Sequence, residues 1–221
     1  MLLRTNASSI RPVDGHLGAL AGERVFCSEF RYGRGTEVFG EGEETEYVYQ
    51  IISGAVRTYK LLSDGRRQIN SFHLPDDMFG LENGATHRFT AEAVVETKVR
   101  ITKRRSLLQT MQSREAGASS FLSLVTRNLQ HAENHMLLLG RKTALERVAA
   151  FLLEIDERLG YPEVLVLPMS RRDIADYLGL TLETVSRAFS ILRDEKMLQF
   201  DGSTQRRIAL TDRRRLGDLN V

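Results

Sequence analysis

Between Thr181 and Leu192 the chain reads TLETVSRAFSIL. At helical spacing Glu183 and Arg187 stand one turn apart, as do Leu182 and Ser186. A carboxylate, a hydroxyl and a guanidinium therefore gather near the start of one helix. They lie off the apolar face formed by Val185, Ala188, Phe189 and Leu192. Together they accept and donate hydrogen bonds in a fixed pattern, which is the chemistry of recognition. No nucleophile motif and no phosphate-cradling glycine loop occurs in the chain. The chain therefore reads as a binding protein and not an enzyme.

The residues upstream say how such a helix would be held. Ser170–Arg171–Arg172–Asp173 is a capping box that opens a short helix containing Ile174, Ala175 and Leu178. Gly179 can take the positive φ that ends it, and Thr181 can cap the next helix. Small Ala175 allows close approach, and Val185 fills the junction. This is the sequence grammar of a DNA-binding helix–turn–helix. The first two turns of its second helix are the part that enters a major groove. There Arg187 can donate twice to guanine N7 and O6. Glu183 can accept from cytosine N4 or hold Arg187, and Ser186 can reach a base edge or a thymine methyl. Thr181 and Leu182, with Ser170 and Arg171 at the preceding helix start, complete the candidate DNA-binding set. The competing reading is a solvated i,i+4 Glu–Arg pair.

After this helix, MLQF and RRIAL read as strands around Asp201–Gly202–Ser203, a wing. Arg206 and Arg207 are candidate phosphate contacts. Arg213–Arg215 reads equally as a phosphate contact or as a solvated tail. From Arg141 to Val221 there are 14 Lys/Arg against 13 Asp/Glu, so any basic surface must come from clustering.

Before it, residues 105–140 read as a long helix. Leu122, Val125, Leu129, Ala132, Met136 and Leu139 recur at steps of three and four, the spacing of a coiled-coil seam. Either the stripe packs on its own neighbouring domain or it joins two copies about a two-fold axis. Thr143–Ala144–Leu145–Glu146 is a further capping box, opening a helix to about Leu159. VLVL (164–167) predicts a short strand.

From about Glu23 to Thr102 the pattern is β. TEVF (36–39), YVYQII (47–52), AVRTYKLL (55–62), RQINSF (67–72) and AVVETKVRI (93–101) predict strands between Gly- and Asp-rich turns. Asp64–Gly65 is the strongest hairpin signal. Many short strands suggest a closed barrel or sandwich. The expected order is an N-terminal arm (1–22) of little organisation, a β domain (23–104), a dimer helix (105–140) and a winged helix–turn–helix (141–221).

The 221 residues suffice for two small domains, and the net charge of +2 is only mildly basic. The single cysteine, Cys27, excludes an internal disulfide and a multi-cysteine metal site built from one chain. No apolar run reaches the roughly 20 residues that cross a bilayer. The expectation is a cytoplasmic protein with no membrane contact, no cofactor and no metal.

Taken with Gly40–Glu41–Gly42, Ile52–Ser53–Gly54, Asp64–Gly65–Arg66, Phe79–Gly80–Leu81–Glu82 and Thr90–Ala91, the stretch SRRDIADYLGLTLETVSR resembles the CRP/FNR regulators. The likeness covers nearly everything from residue 23 onward and is nearest to the FixK-like branch. It implies an α+β chain with a cyclic-nucleotide-binding-type β-roll (a jelly roll), a long dimerisation helix and a C-terminal winged helix–turn–helix. It also implies a homodimeric transcription regulator, mainly an activator, that works with RNA polymerase. Its site would be a palindrome of the type TTGAT-N4-ATCAA on double-stranded DNA. By the resemblance Arg187 reads the guanine, Glu183 the opposite strand and Ser186 a thymine.

The departures matter as much. Cyclic-nucleotide binders of this family carry an Arg just before Ser/Thr–Ala and a Glu earlier in the same cassette. Here Phe89 precedes Thr90–Ala91, Met78 is aligned with the Glu, and Arg88 is one position off. Phe89 is read as filling the pocket. The oxygen-sensing FNR branch needs several N-terminal cysteines, which one Cys27 does not supply. The implied role is effector-free DNA binding in oxygen-limitation control. The alternative is a ligand-gated sensor whose β-roll binds a small molecule or haem, for which His73 is a candidate ligand. His131 and His135, at i,i+4, form either a metal pair or solvated flanks of the seam.

Overall fold

In a computed structural model of the chain, the described residues are 3–4, 15–21, 27–82, 84–112, 115–141, 143–202 and 205–219. They form two compact units, residues 1–131 and 132–221.

The first unit holds two antiparallel sheets. One contains Leu3–Arg4 (β1), Ser28–Tyr32 (β2), Tyr47–Ser53 (β4), Met78–Phe79 (β7) and Thr97–Lys103 (β9), in the order β1-β2-β9-β4-β7. The other contains Glu37–Phe39 (β3), Val56–Leu61 (β5), Arg67–His73 (β6) and Thr90–Ala93 (β8), in the order β3-β8-β5-β6. Alternate residues of both sheets bury a common core that includes Tyr32, Phe39, Ile51, Val56, Phe79, Ala91 and Val99. Asp64–Gly65 does turn the β5–β6 hairpin, with the Gly65 N–H donating to the Leu62 carbonyl.

Two expectations change here. The strand predicted over 93–101 is two strands, because residues 94–96 turn between β8 and β9. The turn packs against Gly54 so closely that a Cβ there would lie 2.5 Å from the Glu96 carbonyl oxygen. The Thr97 hydroxyl fastens it further, bonding both the N–H and the carbonyl of Ala55. The arm is also not wholly unorganised. Gly15–Ala21 forms a helix (α1) whose Leu17 and Leu20 join a core with Val48, Met78, Leu107, Met111 and Leu124.

The predicted long helix is two: Arg104–Gln112 (α2) and Glu115–Arg141 (α3). The boundary between the units falls within α3. In the first unit, Phe121 and Leu124 of α3 pack against the α1/α2 core.

The second unit contains Ala144–Arg158 (α4), Leu165–Val166 (β10), Arg171–Leu178 (α5), Leu182–Asp194 (α6), Leu198–Phe200 (β11), Arg207–Leu210 (β12) and Arg213–Asp218 (α7). The capping boxes at Thr143/Glu146 and Ser170/Asp173 both form, and Thr181 caps α6. Val148, Phe151, Leu152, Ile174, Val185, Phe189 and Leu192 are buried together. The wing strands pair in the order β10-β12-β11. Their connection spans 201–206, longer than the predicted tight turn, and Ser203 lies outside the described residues. Arg213–Arg215 is no solvated tail. It opens α7, which buries Leu216.

Candidate nucleic-acid interface

The start of α6 collects the sequence-predicted groups. Gly179 adopts φ 62°, which turns the chain sharply out of α5. The Thr181 hydroxyl then accepts from the Thr184 N–H at 3.2 Å. Behind them Val185 and Ala188 are buried against α5, so residues 183, 186 and 187 must face outward, and all three are exposed. The Ser186 hydroxyl donates to the Leu182 carbonyl at 2.8 Å, leaving its lone pairs outward as acceptors. Glu183 bonds its own backbone N–H and the Thr181 hydroxyl. These hold its carboxyl below the usual carboxylate range, and the nearby Arg172 adds to the effect. At neutral pH Glu183 is therefore an acceptor only.

Arg187 has no hydrogen bond or ion pair among the described residues. The i,i+4 Glu–Arg pair of the competing reading does not form, because Glu183 is drawn to the N-terminus of its own helix. A guanidinium with five unengaged donors thus stands on the outer face of the helix.

Ser170 and Arg171 behave differently. The Ser170 hydroxyl donates to Asp173 Oδ2 at 2.7 Å and accepts from the Asp173 N–H. Arg171 folds inward, its guanidinium carbon 3.0 Å from the Phe189 ring centroid and 5.6 Å from that of Phe200. Its Nη2 donates to the Gln205 carbonyl, and burial pulls its pKa down to about 10. Arg172 is the exposed member of the pair. The sequence did carry the signal, since residue 171 stands at i−3, i−4 and i−7 to Ile174, Ala175 and Leu178. That is the buried stripe.

The other arginines sort in the same way. Arg207 pairs with Asp201 at 2.7 Å, and Arg206 donates to the Pro168 carbonyl. Arg213 clasps the fully buried Asp156 through two bonds of 2.7 and 3.0 Å, and Arg215 donates to the Glu195 carbonyl. Arg214, which has no partner among the described residues, is exposed.

On α3 the stripe is exposed. Relative exposure is 66% at Leu122, 44% at Val125, 57% at Leu129 and 69% at Met136. Ala132 is exposed and Leu139 half-buried. Leu137, which the spacing missed, is 70% exposed. His135 is neither solvated nor arranged as a ligand pair, since its ring stacks on Tyr177 at 4.1 Å.

In the β-roll, the loop from Gly80 to Thr90 is bonded to itself and to its neighbours. Glu82 accepts from the Arg88 N–H at 3.0 Å and pairs with His87 Nδ1 at 3.1 Å. The His87 ring, 3% exposed, stacks on Phe39 at 3.6 Å. His73 meets Thr58 and stacks on Phe79. The residue that fills the interior is thus His87, which the sequence reading passed over. Phe89 is half-buried beside Lys60 and Arg88 instead. Met78 lies ahead of Gly80, buried in β7, and the carboxylate of this loop is Glu82.

The Crp-like helix–turn–helix domain family matches residues 146–219, and the cyclic nucleotide-binding domain family matches 29–114. Over 185 residues the chain is 46% identical to the nitrogen fixation regulation protein FixK of Rhizobium meliloti (strain 1021), covering 83% of each. The chain belongs to the CRP/FNR superfamily, in its FixK-like branch. It is also 43% identical over 190 residues to the transcriptional activatory protein AadR of Rhodopseudomonas palustris, covering 83% of this chain and 80% of that one. The structure of FixK2 from Bradyrhizobium japonicum superposes with a TM-score of 0.84 at 55% identity, over 88% of this chain and 98% of that one. This FixK-like chain is a transcription regulator with a helix–turn–helix DNA-binding domain. Among its described residues no helix is long and apolar enough to cross a membrane.

Proposed function

We propose that the chain acts as a homodimer that reads a TTGAT-N4-ATCAA-like palindrome and activates transcription with RNA polymerase, in oxygen-limitation control, without a bound effector. The observation that carries this reading is the unengaged Arg187 guanidinium beside a fixed, ionised Glu183. A donor fork of that kind matches guanine N7 and O6. Thr181, Leu182 and Ser186 line the same end of α6. The exposed stripe from Leu122 to Met136 supports pairing of two copies, since such a run of large apolar side chains is costly to leave in water. A two-fold axis would set two recognition helices about 34 Å apart, one turn of DNA. The closed Glu82–His87 loop supports effector-free action. The lone Cys27 and the likeness to FixK support a place downstream of a separate oxygen sensor.

The test is fluorescence anisotropy with no effector added, comparing the palindrome with a duplex in which both guanines are replaced. The expected result is tight binding to the first and only salt-sensitive nonspecific binding to the second. Equal binding to both would overturn the reading.

A further inference from the structure

Only residues 142 and 143 separate the end of α3 from the start of α4. What closes the junction is Arg147, in the first turn of α4. Its Nη2 donates to the Leu139 carbonyl in the last turn of α3, and its Nη1 donates to the Leu178 carbonyl at the end of α5, each at 2.9 Å. Both acceptors lack a helical partner because they lie in final turns, where the helix dipole is negative. One cation thus joins two helix C-termini. The Leu139 side chain reaches the same point, since a Cβ on Gly179 would lie 3.8 Å from both Leu139 Cδ2 and Arg147 Nη1. One turn earlier His135 stacks on Tyr177 of α5.

We propose that Arg147 is a positioning residue. It fixes the helix–turn–helix onto the last turn of α3 and so sets the half-site spacing that the protein accepts. The inference rests on the dimeric palindrome reading above. Along DNA one base pair is about 3.4 Å of rise and roughly 34° of rotation. A head free to swing by that much would accept neighbouring spacings. A head held by two charge-assisted bonds to two helix ends would not.

The experiment uses the full chain, with Arg147→Met and Arg147→Lys. Each is titrated against duplexes whose half-sites are separated by three, four or five base pairs, and against a single half-site. Melting temperature and molecular mass serve as controls. Amide hydrogen exchange over 136–141 and 178–180 is read without DNA. For the wild type we expect at least about tenfold preference for one spacing, because a register error forfeits one half-site's bonds. Arg147→Met should keep the half-site affinity but bring the three spacings within about threefold of one another. Exchange at the two helix ends should rise about tenfold, the equivalent of one lost hydrogen bond of this kind. Arg147→Lys, which keeps the charge but replaces the two-nitrogen fork with a single nitrogen, should fall between.

Unchanged spacing preference in Arg147→Met overturns the inference. So does an equal loss on every duplex accompanied by a lower melting temperature, which marks a merely structural role. If the wild type shows no sequence preference, the palindrome reading fails. Exchange at the helix ends then decides the inference alone, a rise supporting the junction and no change overturning it.

Discussion

Two carboxylates, each near a cationic or ionisable partner, show how differently the two units treat their polar groups. In the β-roll, Glu82 accepts from the Arg88 N–H and pairs with His87, whose ring is sealed against Phe39. On α6, Glu183 bonds its own helix start, while Arg187 four residues on is left without a partner among the described residues. The first arrangement closes on itself and contributes to stability. The second leaves donors ready for an outside acceptor. Buried polar groups must be satisfied within the protein, whereas exposed ones need not be. The exposed Arg187 guanidinium, with no partner among the described residues, is thus available to an outside acceptor in a way that the buried pair is not.

The sharpest way to break this contrast is to exchange the two effects. Arg187→Ala should leave the melting temperature unchanged. Its specific binding should fall by about 2–6 kcal/mol over two half-sites. Anisotropy on the palindrome and on scrambled DNA checks this, and equal losses on both would contradict it. His87→Ala should do the reverse. It removes a buried ring and its bond to Glu82, costing about 2–4 kcal/mol. The melting temperature should fall by several degrees, while the folded fraction binds DNA as before.

A smaller effect is expected at Cys27. Burial pushes its thiol pKa up, so its thiolate fraction at neutral pH is below that of a free cysteine. Alkylation by iodoacetamide should be several-fold slower than for glutathione, and should keep accelerating above the pH where a free thiol levels off. A rate equal to that of glutathione would show that the thiol is not shielded. The smallest expected effect is none. Cyclic nucleotide or haem in excess should leave the melting temperature within about half a degree. A ligand held at a hundred times its Kd would add about 2.7 kcal/mol. A clear shift would bring the ligand-gated reading forward.

The parts legible in the sequence share one property, which is that their signals are local. Ser170, Gly179 and Thr181 cap and turn α5 and α6 through bonds within a few residues, and each does so as its spacing predicts. The stripe from Leu122 to Met136 is likewise one period on one helix. The misreadings occur where distant residues decide. Nothing within AVVETKVRI announces a turn at residues 94–96, which is fastened by Gly54 and Ala55 some 40 residues earlier. Helix α1 spans seven residues, too short to persist alone, and distant residues hold it: Leu17 and Leu20 are buried in the core, and His16 Nδ1 meets the Asp76 carbonyl at 3.0 Å.

Arg171 and Arg172 put the division most plainly. As neighbours in sequence they are the same side chain, and both suit a phosphate. Phe189 and Phe200 fold one of them inward, and the other remains exposed near Glu183. The sequence by itself determined the helix–turn–helix, its caps and the identity of the groups at the start of α6, because helix periodicity and capping act over a few residues. Only the tertiary structure decided which polar groups are engaged. Arg171 is closed onto the wing, Arg213 onto Asp156, His87 onto Glu82 and Arg147 onto two helix ends, while Arg187 stays open. Helix spacing already places residue 171 on the buried stripe, but the partner that each of these groups meets depends on packing that a local pattern does not encode.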